Sequence, residues 1–407
     1  MIPSMIALYL HIYTATQPRG HWLVDKYYRE ADCTRDALAT THVDYVLWDK
    51  VHEILTGPAT IDQLTHVAQG LLIPVNGLVD PTLALQCPLG TAAVLQALGL
   101  ALVQSGVPSR GLRVLHLAKL FAFHKYPELG DGIEQTRWKL GIMDIMNGIK
   151  FASPFASSVG GLVGPTERGK TVTIVSYCYY PGGRTKLPEY SKGNKEKYGA
   201  ISGIKVVHHD KPFSQAGHAW MNKLLAVETA MSSEDSDWVM WVDCDAYFMN
   251  KHFDINNFLS QVPKEKQLII SEDANHLNSA VFLLRNTEWS RHFLKNVRNL
   301  LTAPSPFSFR DNAYHEQSPL MYLVLVPSVF DGANPDGYAK EVLIVDQKMM
   351  NAYPVEIAHR SSFMQHAMYE PGDWIISFNG CGSLLGGEYC EEIWKSHFEQ
   401  SMLILNS

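Results

Sequence analysis

Asp243-Cys244-Asp245 offers two carboxylates one residue apart, directly after the apolar run Trp238–Val242. Two acids at that spacing repel each other, and both gain by sharing a divalent cation. No cluster of histidine and cysteine accompanies them, so a hard, oxygen-preferring ion such as Mn²⁺ or Mg²⁺ is expected rather than zinc. Such an ion bridges to a substrate diphosphate and neutralises its charge as it leaves. A second triplet, Asp235-Ser236-Asp237, precedes the apolar run and reads as a solvated turn that caps the preceding helix.

The element in front of the second triplet gives it meaning. Trp238–Val242 is continuously apolar, as a strand buried on both faces must be. Asp243 is then the first residue past its carboxyl end. If the chain stays extended, Asp243 and Asp245 point to the same side. Comparable β-branched or aromatic runs occur at 171–179, 203–208, 267–271, 280–285, 341–346 and 374–378. Helical patterns lie between them at Ser214–Met231, Glu288–Leu301 and Asn312–Val324. This alternation predicts an α/β fold with a mixed, largely parallel sheet flanked by helices. In such sheets ligands bind beyond the carboxyl ends of strands. His208 and His209, in "HHDKPF", read as part of a polar loop after the second strand.

Residues 1–150 read as a mainly helical N-terminal domain. Apolar residues recur at three- and four-residue spacing in Thr60–Gly70, Thr91–Val103, Arg110–Tyr126 and Gly132–Ile149. The Ser-, Gly- and Pro-rich stretch 151–170 is a linker, and 171–407 forms the α/β domain. His116, His124 and Asp131 are taken as core or surface residues rather than a site. The uncharged start, "MIPSMIALYLHIYTA", alternates like a buried strand, is too short to span a bilayer and lacks signal-peptide features.

A net charge of −7 without lysine- or arginine-rich clusters argues against a nucleic-acid partner. With no evident membrane span and no N-x-S/T sequon, a cytoplasmic location is expected. The Golgi lumen is the alternative for a chain whose anchor is not in this sequence. Of the six cysteines only Cys381 and Cys390 lie close together. Scattered reduced thiols are expected, with a disulfide between those two as the alternative.

Five segments resemble glycosyltransferase family 34, the galactosyl-, mannosyl- and xylosyltransferases of the GT-A fold. "WVMWVDCDAYFMN" is similar to the family's metal-binding strand. "AWMNKLLAVETAM" (219–231) is similar to its preceding helix, with Lys223 at a recurrent lysine. "HLNSAVFLLRNTEWSRHFL" (276–294), "HEQSPLMYLVL" (315–325) and "GDWIISFNGC" (372–381) follow in the family's order. Together they cover about residues 170–392.

The resemblance implies a retaining transfer of a sugar from a nucleotide-diphosphate donor, a UDP-sugar by preference. The acceptor would be a saccharide hydroxyl on a glycan or glycoconjugate. Asp243 and Asp245 would hold Mn²⁺ or Mg²⁺, and Lys223 would add positive charge beside the donor. Asn278 and Ser279 would hydrogen-bond sugar hydroxyls, and Gly380 would let backbone N–H groups face a phosphate. Glu316 and Gln317 would lie beside the anomeric carbon, where a carboxylate and an amide stabilise an oxocarbenium-like centre.

Four positions depart from the family pattern. Ser377 replaces its metal-binding histidine, Asn379 a small residue, Ala280 a glycine, and His315 the second acid of plant members. A weaker metal site with Asn379 as third ligand is expected. One alternative is a non-catalytic sugar-nucleotide or glycan-binding protein on the same scaffold, which Ser377 keeps open. The other is a Mg²⁺-dependent phosphatase or nucleotidyltransferase, which predicts neither the 276–294 nor the 372–381 block.

Overall fold

The structure, a computed structural model, describes residues 59–72, 84–85, 88–122, 170–180, 185–213, 218–273, 276–303, 308–312, 314–330, 340–359 and 367–407. The strand expected at the start, the helix expected at 132–149, most of the linker, and His124, Asp131, Cys33 and Cys87 lie outside these residues. The chain divides into two compact units. One is Met1–Phe155 with Asn299–Ala339; the other is Ala156–Arg298 with Lys340–Ser407.

The first unit contains helices α1 (Ile61–Leu72), α2 (Pro88–Gln104) and α3 (Pro108–Ala122), with the helix Gln317–Phe330 from the later segment. On α1 the buried residues Leu64, Val67, Ala68 and Leu71 fall three and four apart, giving one apolar stripe. Helices α2 and α3 form a hairpin whose turn uses the left-handed Gly106 (φ 86°). They approach closely because Gly99 and Gly111 face each other. A Cβ on Gly111 would lie 2.6 Å from Val103 Cγ2 and 2.7 Å from the Gly99 carbonyl oxygen. Tyr322 Oη donates to Leu72 O (3.0 Å) and Arg110 Nε to Val329 O (2.9 Å), so the later helix is bonded to both ends of this layer.

The second unit runs β1 (Val172–Tyr177), α4 (Leu187–Ser202), β2 (Lys205–His209), α5 (Ala219–Ser233), β3 (Trp238–Val242), β4 (Ala246–Phe248), β5 (Leu268–Asp273), β6 (His276–Arg285), α6 (Glu288–Thr302), β7 (Val342–Val345), β8 (Ile375–Ser377) and α7 (Gly387–Asn406). Six strands form one sheet in the order β2-β1-β3-β6-β5-β7. Only β6 runs against its neighbours, so this is the mixed, largely parallel α/β sheet expected from the sequence. Strands β1 and β3 are buried along their whole length, which is why they read as unbroken apolar runs. The segment around 374–378 does not join that sheet. Its strand β8 pairs antiparallel with β4, matching Ala246 to Ser377.

Below β3 an aromatic group closes the core. Tyr198 stacks on Phe248 at 3.9 Å, Trp374 stacks on Phe253 at 4.0 Å, and Trp374 Nε1 donates to Tyr198 Oη at 3.1 Å. Three expectations need correction. His208 and His209 end strand β2 rather than lying in a loop, because they pair in register with Ser176 and Tyr177 of β1. The helix expected from Asn312 starts at Gln317, since 314–316 form turns in front of it.

The cysteines are the third. Cys178–Cys244 and Cys381–Cys390 are disulfide-bonded. Strands β1 and β3 pair residues 66 apart, Val172 with Trp238, and the same offset carries Cys178 to Cys244. Among the described residues no helix is long and apolar enough to cross a membrane.

Candidate active site

The acid pair occupies a tight turn, not an extended strand end. Asp243 N donates to Ala280 O (2.8 Å), which continues the β3–β6 ladder by one residue. The chain then reverses, with Ala246 N donating back to Asp243 O at 3.2 Å. Phe378 N donates to Asp245 O at 2.9 Å, so the segment after β8 holds the far side of the turn. Alternation along an extended chain therefore does not bring the carboxylates together; the turn does. Burial and the neighbouring Asp243 both push the Asp245 carboxyl above the usual carboxylate range.

Asp243 Oδ1 accepts from two donors. Trp241 Nε1 reaches it at 2.7 Å and Lys223 Nζ at 3.0 Å. Lys223 sits on α5, the helix that leads into β3, and its side chain is buried rather than at the surface. Its ammonium also donates to Ser279 O (3.1 Å) and Ser279 Oγ (3.5 Å), and lies over the Trp241 ring at 5.5 Å. The structure thus brings Lys223, Asp243 and Ser279 together.

The first triplet serves a different end. Asp237 Oδ2 accepts from Thr171 N (2.8 Å) and Thr171 Oγ1 (3.1 Å), and Lys170 lies 3.6 Å from Oδ1. Burial alone would raise its carboxyl, but these donors hold it below the ordinary range. It latches the start of β1 instead of capping the helix before it.

Asn278 is fully engaged with protein partners. Its Oδ1 accepts from Ala280 N (2.8 Å) and Asn379 Nδ2 (3.1 Å). Its Nδ2 donates to Asp273 Oδ2 (2.8 Å) and toward Tyr353 Oη (3.4 Å). Those four bonds use both acceptor and both donor positions of an amide. Tyr353 Oη in turn donates to Asp273 Oδ2 at 3.2 Å. Asp273 and Tyr353 were not legible as site residues, since neither stands in a motif.

The closing segment carries two of the four departures, Ser377 and Asn379. Ser377 is fully buried on β8, and its Oγ has no hydrogen-bond partner among the described residues. Asn379 Nδ2 donates to Asn278 and, at 3.3 Å, to Asn351 Oδ1. Gly380 has φ 73°, a left-handed conformation that a side chain would strain. Ala280 is buried and supplies its backbone to Asp243 and Asn278.

The donor chemistry here fits a hard cation. Two carboxylates crowd one turn, one of them with its charge disfavoured, and oxygen ligands from substrate and water would complete the shell. Among the described residues no group of three or more His, Cys, Asp or Glu is arranged to hold a metal by itself.

Glu316 and Gln317 belong to the helical unit. Asn312 builds the turn that presents them: its Oδ1 accepts from Tyr314 N (3.1 Å) and Ser318 Oγ (2.6 Å), while Nδ2 donates to Leu120 O (2.9 Å). His315, directly before them, has φ 47°, which non-glycine residues adopt only under local constraint. Glu316 is buried, and Gln317 opens the helix Gln317–Phe330.

Comparison with known proteins gives matches to this same region. A family model described as the galactosyl transferase GMA12/MNN10 family matches residues 172–261 and 255–386. A probable glycosyltransferase 6 of Oryza sativa subsp. indica is 26% identical over 166 residues, 36% of this chain and 34% of that protein. An alpha-1,2-galactosyltransferase of Schizosaccharomyces pombe (strain 972 / ATCC 24843) is 23% identical over 254 residues, 53% of this chain and 62% of that protein. The solved structure of a glycosyltransferase involved in the glycosylation of the major capsid of PBCV-1 aligns with a TM-score of 0.40 at 17% identity, over 56% of this chain and 98% of that one. The chain spans about a third of the length of the curated relatives it matches first.

Proposed function

The chain belongs to the galactosyl transferase GMA12/MNN10 family, and from that membership we propose that it transfers a sugar from a nucleotide-diphosphate donor to a saccharide hydroxyl, with retention and with help from a divalent metal. The observation that carries this reading is the turn Asp243–Ala246 at the carboxyl end of β3, where two carboxylates meet a buried lysine. Ligands of such sheets bind at that edge.

Asp243 and Asp245 would hold Mn²⁺ or Mg²⁺, which supplies charge neutralisation to a leaving diphosphate. Lys223 fixes the Asp243 carboxylate and adds positive charge at the same edge. Trp241 sets the carboxylate's orientation through its indole N–H. Asn278, with its amide filled by protein partners, acts by holding Ala280 and Asn379 in place, and Ser279 remains the residue of that pair to contact the sugar. Glu316 and Gln317 are the proposed partners of the anomeric centre, where a carboxylate and an amide oxygen stabilise developing positive charge. Retention is part of the proposal and rests on the sequence resemblance and on that pair.

The test is nucleotide release from common UDP- and GDP-sugars by the purified chain, with Mn²⁺ and with chelator. Metal-dependent release of UDP or GDP supports sugar transfer. Phosphate release from simple esters points instead to a phosphatase, and binding without turnover to a non-catalytic scaffold.

A further inference from the structure

We infer that Asn194 and Lys195, adjacent on α4, are positioning residues for the acid pair, gripping β4 immediately after Asp245; this rests on the metal-site reading above. Both side chains are completely buried, and both point their polar ends at the backbone of one three-residue strand. Asn194 Oδ1 accepts from Phe248 N (2.8 Å), and Asn194 Nδ2 donates to Phe248 O (3.0 Å) and Ser401 Oγ (2.9 Å). The amide thus pairs with both backbone groups of Phe248, as a neighbouring strand would. Lys195 Nζ donates to Ala246 O (3.0 Å) and Ser191 Oγ (2.6 Å).

Strand β4 is therefore clamped from two sides, by β8 along one edge and by α4 through these two side chains. The clamp matters because Ala246 closes the turn that carries both acids. The entrance of the turn is fixed by Asp243 on Ala280, and its exit by Lys195 on Ala246. A shift of Ala246 displaces the Asp245 carboxylate with it.

Packing alone does not account for the choice of lysine. A fully buried ammonium is expensive to desolvate, and an apolar side chain of the same length would fill this space at less cost. Its hydrogen bonds go to neutral oxygens, so the acids of the adjacent turn are the negative charges that compensate it. Outer-shell groups of this kind orient metal ligands, and their loss weakens metal binding about 10- to 100-fold.

The experiment uses the full chain with Lys195→Met and the gentler Ser191→Ala, which removes one partner of the ammonium and no bond to β4. Mn²⁺ affinity is followed by electron paramagnetic resonance of the free ion, and backbone order by hydrogen exchange of residues 243–248. Lys195→Met should keep the melting temperature, weaken Mn²⁺ binding about tenfold and speed exchange of the Ala246–Phe248 amides about tenfold. Ser191→Ala should weaken Mn²⁺ binding by about two- to threefold. Wild-type exchange and wild-type Mn²⁺ affinity in Lys195→Met would overturn the inference. Asp245→Asn is the separating control: it should abolish Mn²⁺ binding while leaving exchange of Ala246–Phe248 slow. A wild-type chain that binds no Mn²⁺ overturns the metal-site reading, and the exchange data still decide whether α4 grips the strand.

Discussion

Lys223 Nζ stands 3.0 Å from Asp243 Oδ1 and 3.1 Å from the Ser279 carbonyl, so one ammonium joins α5, the end of β3 and the start of β6. Lys223→Met keeps most of the buried stem and removes the charge. Donor turnover is expected to fall about 100-fold, the scale of losing one pre-set electrostatic group. Nucleotide release at saturating Mn²⁺ measures it. A variant with full activity would show that the ammonium serves only to hold the core.

Asp245→Asn should separate stability from function. Burial and Asp243 hold the Asp245 carboxyl above its unfolded value, so its ionised form is disfavoured in the fold. That destabilisation is absent at acid pH, grows as pH rises from the unfolded value of 3.8 toward the shifted value of about 6, and is complete above it. At neutral pH, without metal, the amide should therefore stabilise the chain by roughly 1 kcal/mol, while metal-dependent turnover is lost. Calorimetric melting in chelator, set beside donor hydrolysis, checks both halves. A lower melting temperature would refute the charge argument.

The α2–α3 hairpin depends on two missing side chains. Gly111→Ala gains about 1 kcal/mol of helix propensity, yet its Cβ meets the Gly99 carbonyl at 2.7 Å. Backbone cannot swing aside as a side-chain tip can. Overpacking should win, for a net destabilisation of roughly 1–2 kcal/mol, read as a lower urea midpoint.

His208 predicts an acid-side loss of stability. Burial, with Lys195 and Lys192 nearby, brings its imidazole from 6.5 down to about 4. The folded state therefore binds the proton less readily than the unfolded chain. Stability is full above pH 6.5 and falls as pH drops toward 4. His208→Gln should flatten that slope by on the order of 1 kcal/mol, measured by urea denaturation at pH 7 and pH 5.

Much of the α/β unit is visible in the residues. The boundaries of β3 follow from five consecutive apolar side chains, because a strand covered on both faces has no polar alternation to blur it. Helix α7 left no such trace. Its buried face is only Cys390, Ile393, Ser401 and Leu405 among charged neighbours, so its apolar period is weak. Strand β4 is three residues long and gains its identity from β8 and α4, partners more than 100 and about 50 residues away in sequence. The turn at Asp243–Ala246 was hidden for a related reason. Whether a chain continues or reverses after a strand depends on what bonds its backbone, here Ala280 and Phe378. Lys195 is one of three lysines in its helix, with Lys192 and Lys197, and no sequence signal says that it alone is buried.

Strand β6 runs against every other member of its sheet. Its opening residues, 278–280, consequently reach the same rim as the closing residues of β1 and β3. Two kinds of chain segment then meet there, the ends of forward strands and the start of a reversed one. The start of the reversed strand forms one wall of the rim and is bonded, through Ala280, to the acidic turn on the other. Under the proposed function, one edge of that rim would carry the charged turn and the other the contacts that choose among ligands.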